Sequence, residues 1–148
     1  MKVAILGSGD AFGSGGRFNT CLHVEAGVEQ MLLDCGSSSM VALNRAGIDR
    51  NQLSTLLFTH FHGDHFGGLP AFLLEAQFVS RRTQPLTIAG PRGVEQRALQ
   101  AIETDFPGAS GNAWRFPISY VEVTPEAPAL VAGIAVEAFP MVHDQRAG

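Results

Sequence analysis

The sequence predicts a layered α/β domain, and three observations carry that reading. Apolar, strand-like runs such as "STLLFTH" and "PLTIAG" alternate with stretches of helical periodicity such as "PRGVEQRALQAIETDF". Near the start, two period-2 segments, "TCLHVEA" and "EQMLLDC", flank Gly27 as a β-hairpin would. The length of 148 residues lies near the commonest single-domain size, enough for one sizeable core.

The elements follow in order. "KVAIL" is a short strand, and the Gly/Ser-rich "GSGDAFGSGG" after it is a loop. The hairpin strands come next. "CGSSS" offers several serine N-caps for "MVALNRAG", one or two helical turns closed by Gly47. "STLLFTH" is a buried-type strand ending at His60, and a helix begins at about Gly67. In "GGLPAFLLEAQFVSRR", Leu69, Phe72, Leu73, Ala76 and Val79 fall at helical spacing. Pro70 is tolerated in the first turn, and Arg81 and Arg82 complement the helix C-terminus. After "PLTIAG", a further helix puts Val94, Ala98, Ala101 and Ile102 on one face. "FPISYVEV" and "ALVAGIAVEAFPMV" close the chain as strands with Pro/Gly turns.

Composition narrows the function classes. The formal net charge of −4 argues against a surface built wholly to grip nucleic acid, although a local basic patch could still do so. No apolar run is long enough to span a bilayer, and "MKVAILGSGD" lacks the apolar stretch and cleavage site of a signal peptide. A soluble, cytoplasmic protein with no membrane partner is expected. The two cysteines, Cys21 and Cys35, could face each other across the hairpin, but buried thiols are the expectation in a reducing compartment. "GSGDAFG" is not a dinucleotide fingerprint: its third glycine is one residue late, and a hairpin follows where a helix should.

The chemistry concentrates in "HFHGDH", residues 60 to 65, which holds three of the five histidines. His60 and His62, two apart at the carboxyl end of a strand, would send both imidazoles to one side. Gly63 then permits a sharp turn, so that Asp64 and His65 arrive from another direction. Imidazole nitrogens and a carboxylate are what zinc, manganese or iron accept, and two ions roughly 3.5–4 Å apart form a common hydrolytic centre. A polar turn is the alternative, but so many polar groups packed together would be costly to desolvate without a cation.

"HFHGDH" resembles the His-x-His-x-Asp-His signature of the metallo-β-lactamase superfamily of metal-dependent hydrolases. "GSGDA", "RFNTCLHVE", "LLDCG", "LLFTHFHGDHFGGLP" and "PLTIAGPRG" look like its ribonuclease Z-like branch, over essentially the whole chain. The resemblance implies a four-layer αββα sandwich with metals at the sheet ends, of which residues 1–148 would be the N-terminal half, an incomplete domain. It implies that His60 and His62 ligate a first metal, and Asp64 and His65 a second. His143 in "AFPMVHD" would complete the first site, against the alternative of a surface histidine near a chain end. Asp34 in "LLDCG" looks like a buried aspartate behind a ligand imidazole, or equally a turn acceptor for "CGSSS". His23 matches no ligand position and is expected to be structural. The family's bridging aspartate and last histidine come from the second half of the sandwich, so the second metal site is short of ligands within these residues.

The implied cofactors are two divalent ions, zinc first, with manganese or iron as alternatives. The implied reaction is hydrolysis of a phosphodiester by a metal-activated water, with Asp64 as the catalytic carboxylate that orients the water and takes its proton. The substrate would be a small-molecule or nucleotide phosphodiester, and a homodimer is expected. Arg17, Arg81, Arg82, Arg92 and Arg97 could furnish a phosphate-binding wall, although solvated helix ends account for most of them as well. Transfer RNA is not favoured, given the acidic balance and the sequence "FGSGGRFNT", which lacks the proline of tRNA-cleaving members. Other readings are an ester, sulfate-ester or lactone hydrolase, an iron-dependent redox member, or a non-catalytic metal-binding module.

Overall fold

A computed structural model describes residues 1–142. Its centre is a six-stranded sheet in the order β1-β2-β3-β4-β5-β6. β1 (Lys2–Gly7), β2 (Cys21–Ala26) and β3 (Glu29–Leu33) form an antiparallel meander. β4 (Thr55–Leu57), β5 (Leu86–Gly90) and β6 (Ile118–Glu122) continue it in parallel. The change of mode follows from the connections: the β2–β3 link is a tight turn at Gly27, whose φ of 67° suits glycine, whereas each later link carries a helix. These helices are α1 (Ser39–Ala46), the single turn α2 (Gly63–Phe66) with α3 (Leu69–Phe78), and α4 (Val94–Asp105).

Strand alternation sorts the side chains into two faces. Leu32, Leu56 and Ile88 align across β3, β4 and β5 and are fully buried against Leu43, Leu69, Phe72, Leu73, Val94, Ala98 and Ile102 of the helices. The opposite face carries Ile5, Leu22, Leu33, Leu57, Ala89 and Val121 in register. A hairpin of β7 (Ala129–Val131) and β8 (Ile134–Val136) packs Val131 onto Ala89 at one end of that face. At the other end Ile5 is 70% exposed and Val3 51%. The layered α/β class and the order of elements are those expected from the sequence.

Five local expectations need correction. β4 stops at Leu57, three residues before His60, because Asp34 draws the Thr59 amide out of the ladder with a hydrogen bond of 2.8 Å. A helical turn, α2, already begins at Gly63, so Asp64 and His65 lie within it. α3 ends at Phe78, leaving Val79 72% exposed instead of in the core. Arg82 does not decorate a helix end. Its side chain is 1% exposed and spreads its guanidinium over the carbonyls of Gln84, Arg50, Leu53 and Pro85, at 2.6–3.0 Å. A cation so enclosed cannot serve as a phosphate-binding wall. Ser38 stands at the N-cap of α1 but makes no capping bond with its hydroxyl, which pairs with Asn19 instead.

Candidate metal centre

The cluster sits beyond the carboxyl end of β4, where α/β sheets place their sites. Two backbone segments are joined there, residues 34–37 after β3 and residues 59–68 after β4. The Cys35 amide donates to His65 O at 2.7 Å, the Ser37 amide to Gly63 O at 3.2 Å, and the Gly68 amide to Cys35 O at 2.8 Å. Glycine permits this approach: a Cβ on Gly36 would fall 2.1 Å from the Asp64 carbonyl oxygen, and one on Gly68 2.5 Å from that of Gly36. Phe66 fastens the loop from below, its ring edge-on to Phe58 at 4.7 Å and to Phe61 at 5.2 Å.

The loop gathers the expected imidazoles. The His60 ring lies 4.6 Å from His62 and 4.2 Å from His65, centroid to centroid. His62 is the N-cap of α2, in extended conformation, so the pair meets across a loop and not along a strand. Asp64 Oδ2 stands 3.5 Å from His65 Nε2. That separation has a chemical meaning: ligands about 2.0–2.2 Å from a tetrahedral ion are roughly 3.3–3.6 Å apart. The separation of this donor pair is the one a shared cation would require. Among the described residues no three His, Cys, Asp or Glu side chains converge on a single ion position, and His143 lies outside the described residues.

Behind the imidazoles lies Asp34, 3% exposed, in the left-handed region at φ 59°, which aspartate tolerates better than most residues. Its Oδ2 accepts His65 Nδ1 at 2.6 Å, and its Oδ1 accepts the Thr59 amide at 2.8 Å. The Thr59 hydroxyl lies 3.0 and 2.9 Å from the two carboxylate oxygens and 3.0 Å from His60 Nδ1. Asp34 accordingly serves the histidine loop; the turn at "CGSSS" is held by Asn19 and Ser38. Thr59 escaped the reading of the sequence, where the only signal was a hydroxyl immediately before the cluster.

The remaining candidates separate clearly. His23 is buried and bonded to Gln30 in the β2–β3 hairpin, away from the cluster. Cys21 and Cys35 are free, buried thiols. Burial pushes Cys21 up to about 11 and Cys35 further still, so neither offers a thiolate near neutral pH. Arg92 and Arg97 do line the cleft, of about 1020 Å³, that opens beside His60, Phe61 and His62. Arg97 lies over the Phe61 ring at 5.9 Å, and Arg92 is an exposed side chain 3.8 Å from Glu126. Arg17 and Arg81 do not line that cleft.

Comparison with known proteins agrees with this architecture. Residues 1–96, more than half of the chain, match the family model described as Anti-Pycsar protein Apyc1. A ribonuclease Z of Lachnoclostridium phytofermentans is 32% identical over 147 residues, covering 97% of this chain and 45% of that protein. The chain thus spans about half the length of the curated relatives it matches. Among solved structures, the short form of human tRNase Z superposes with a TM-score of 0.68 at 29% identity, over 86% of this chain and 47% of that one. The metallo-β-lactamase fold protein YhfI of Bacillus subtilis gives 0.68 at 16% identity, over 96% and 54%, a likeness of fold alone. The αβ half-sandwich, the histidine loop at its strand ends and these matches agree: the chain belongs to the Anti-Pycsar protein Apyc1 family, on the ribonuclease Z-like branch of the metallo-β-lactamase superfamily.

Proposed function

We propose that this chain forms the metal-binding half of a metal-dependent phosphodiesterase, and that residues 1–148 are one half of an αββα sandwich. The observation that carries this is the cluster of His60, His62, Asp64 and His65 at the strand ends, backed by the buried carboxylate of Asp34. His60 and His62 would hold one divalent ion, with His143 as third ligand, and Asp64 and His65 the other. Zinc suits this donor set best, with manganese or iron as alternatives. When bound, such a pair of ions supplies Lewis acidity and brings the pKa of a bound water toward neutrality. Asp64 presents a second carboxylate oxygen that can orient the attacking water and accept its proton. Arg92 and Arg97, on the cleft wall, would hold phosphate groups flanking the one attacked. The half-covered sheet face, with Ile5 and Val3 exposed, supports a second layer packing there.

RNA is the preferred substrate class. The relatives that match along almost the whole chain are named ribonuclease Z, and this outweighs the acidic balance that argued against transfer RNA. A small nucleotide phosphodiester is the second reading, favoured by the net charge of −4 and by a cleft with two arginines among its described lining residues. The test is turnover of a tRNA precursor with a 3′ extension and of bis(p-nitrophenyl) phosphate, with added zinc or manganese. Hydrolysis of either that disappears in His62→Ala supports the proposal. No turnover of these or of sulfate esters and lactones by the protein with both halves of the sandwich present would rule it out, and an electronic spectrum of redox-active iron would point to the redox branch. Light scattering tests the expected homodimer.

A further inference from the structure

We propose that Thr59 is a positioning residue that joins the two half-sites, passing the orienting effect of Asp34 to His60 while Asp34 acts on His65 directly. The inference rests on the proposed metal-site reading and deepens it. A neutral imidazole binds a cation through the nitrogen that carries no proton, and which nitrogen that is depends on what the other one meets. His65 Nδ1 faces Asp34 Oδ2 at 2.6 Å; a carboxylate oxygen accepts, so Nδ1 carries the proton and Nε2 keeps its lone pair. Nε2 is the atom 3.5 Å from Asp64 Oδ2.

His60 cannot be served in the same way, because it is the Thr59 hydroxyl that lies against its Nδ1, at 3.0 Å. That hydroxyl has one hydrogen and three neighbours: the two Asp34 oxygens at 3.0 and 2.9 Å, and His60 Nδ1. Asp34 can only accept from it, so the hydrogen points to the carboxylate and the hydroxyl oxygen accepts from His60 Nδ1–H. His60 is thereby set in the same tautomer as His65, with Nε2 left for the ion. One buried carboxylate thus selects the binding nitrogen of a ligand in each half-site, and the threonine hydroxyl links it to the first. A threonine whose hydroxyl merely closed the loop would need only the carboxylate contact. Thr59 is exposed, so its replacement does not disturb the core.

The test uses long-range ¹H–¹⁵N spectra of the imidazoles in the metal-free protein, together with zinc affinity. Wild type should show the Nδ1–H tautomer at both His60 and His65. In Thr59→Val, of equal shape without the hydroxyl, His60 should lose that preference while His65 keeps it, and zinc affinity should fall by about 10–100-fold. Thr59→Ser should restore both. Asp34→Asn, which can keep the left-handed backbone, should disturb both rings. An unchanged His60 spectrum in Thr59→Val, or Asp34→Asn affecting His65 alone, would overturn the proposal. The tautomer spectra need neither metal nor substrate. A wild type inactive on every ester would therefore count against the phosphodiesterase reading and leave this result standing.

Discussion

The two ends of the parallel strands carry equally dense polar clusters with opposite designs. At the amino end, Arg82 is enclosed, four hydrogen bonds from its guanidinium ending on carbonyls that precede β4 and β5. Beside it Arg50 and Glu75 pair at 2.7 Å, with Ser80 on the same carboxylate. At the carboxyl end, the polar groups are braced from behind by Asp34 and face a cleft in front. The difference teaches how to tell a structural polar cluster from a chemical one. In the first, most donors and acceptors are spent on each other; in the second, on the proposed reading, one edge of the His60 and His65 rings is spent on orientation and the other is left for a ligand.

The largest effect expected from breaking this comparison is at the amino end. Arg82→Met would leave several inward-facing carbonyls unpaired, and a loss of about 3–5 kcal/mol is expected in denaturant unfolding. Metal uptake per folded molecule should be unchanged. Next is Gly68→Ala, whose methyl would press on the Gly36 and Cys35 carbonyls; about 1–3 kcal/mol is expected, with weakened zinc uptake measured alongside.

Glu75 sharpens the comparison through pH. Burial alone would raise its carboxyl, but the Arg50 ion pair and the Ser80 hydroxyl outweigh this and hold it below the usual glutamate range. A depressed carboxyl contributes stability that is present above its unfolded value of about 4.3 and is lost as pH falls through the folded value. Wild type should therefore lose more stability than Glu75→Gln as the pH falls below about 4.3, as urea midpoints would show. The smallest stability effect belongs to His62→Ala, within about 0.5 kcal/mol by thermal unfolding, although hydrolysis should disappear and metal uptake should fall. A large loss of stability there would erase the distinction between the two ends.

The sequence made the sheet legible because its strands are short apolar runs and its helices are amphipathic. β5, α4 and the hairpin at Gly27 stand where the pattern put them. What it hid was decided by contacts between distant segments. Nothing near "STLLFTH" says that the ladder stops at Leu57, because the carboxylate that captures the Thr59 amide lies 25 residues earlier. Arg82 sits beside Arg81 at the end of a helical pattern, and only the approach of the turns before β4 and β5 encloses one of them. At the site, the histidine cluster and Asp34 were visible as residue types, whereas the link through Thr59 needed coordinates. Val79 was lost to the core because α3 ends one residue before it.

The backbone bonds between residues 34–37 and 59–68 also bear on the thermodynamics of loading. In small zinc-dependent folds the ion must order the chain that binds it, so that chelation and unfolding are one event. Here the amides of Cys35, Ser37 and Gly68 already hold the loop, and the ring of His65 is already turned. An arriving ion would displace water but organise little polypeptide, so its binding should carry a small heat-capacity change. EDTA should strip the site while the far-ultraviolet circular dichroism stays that of the loaded protein.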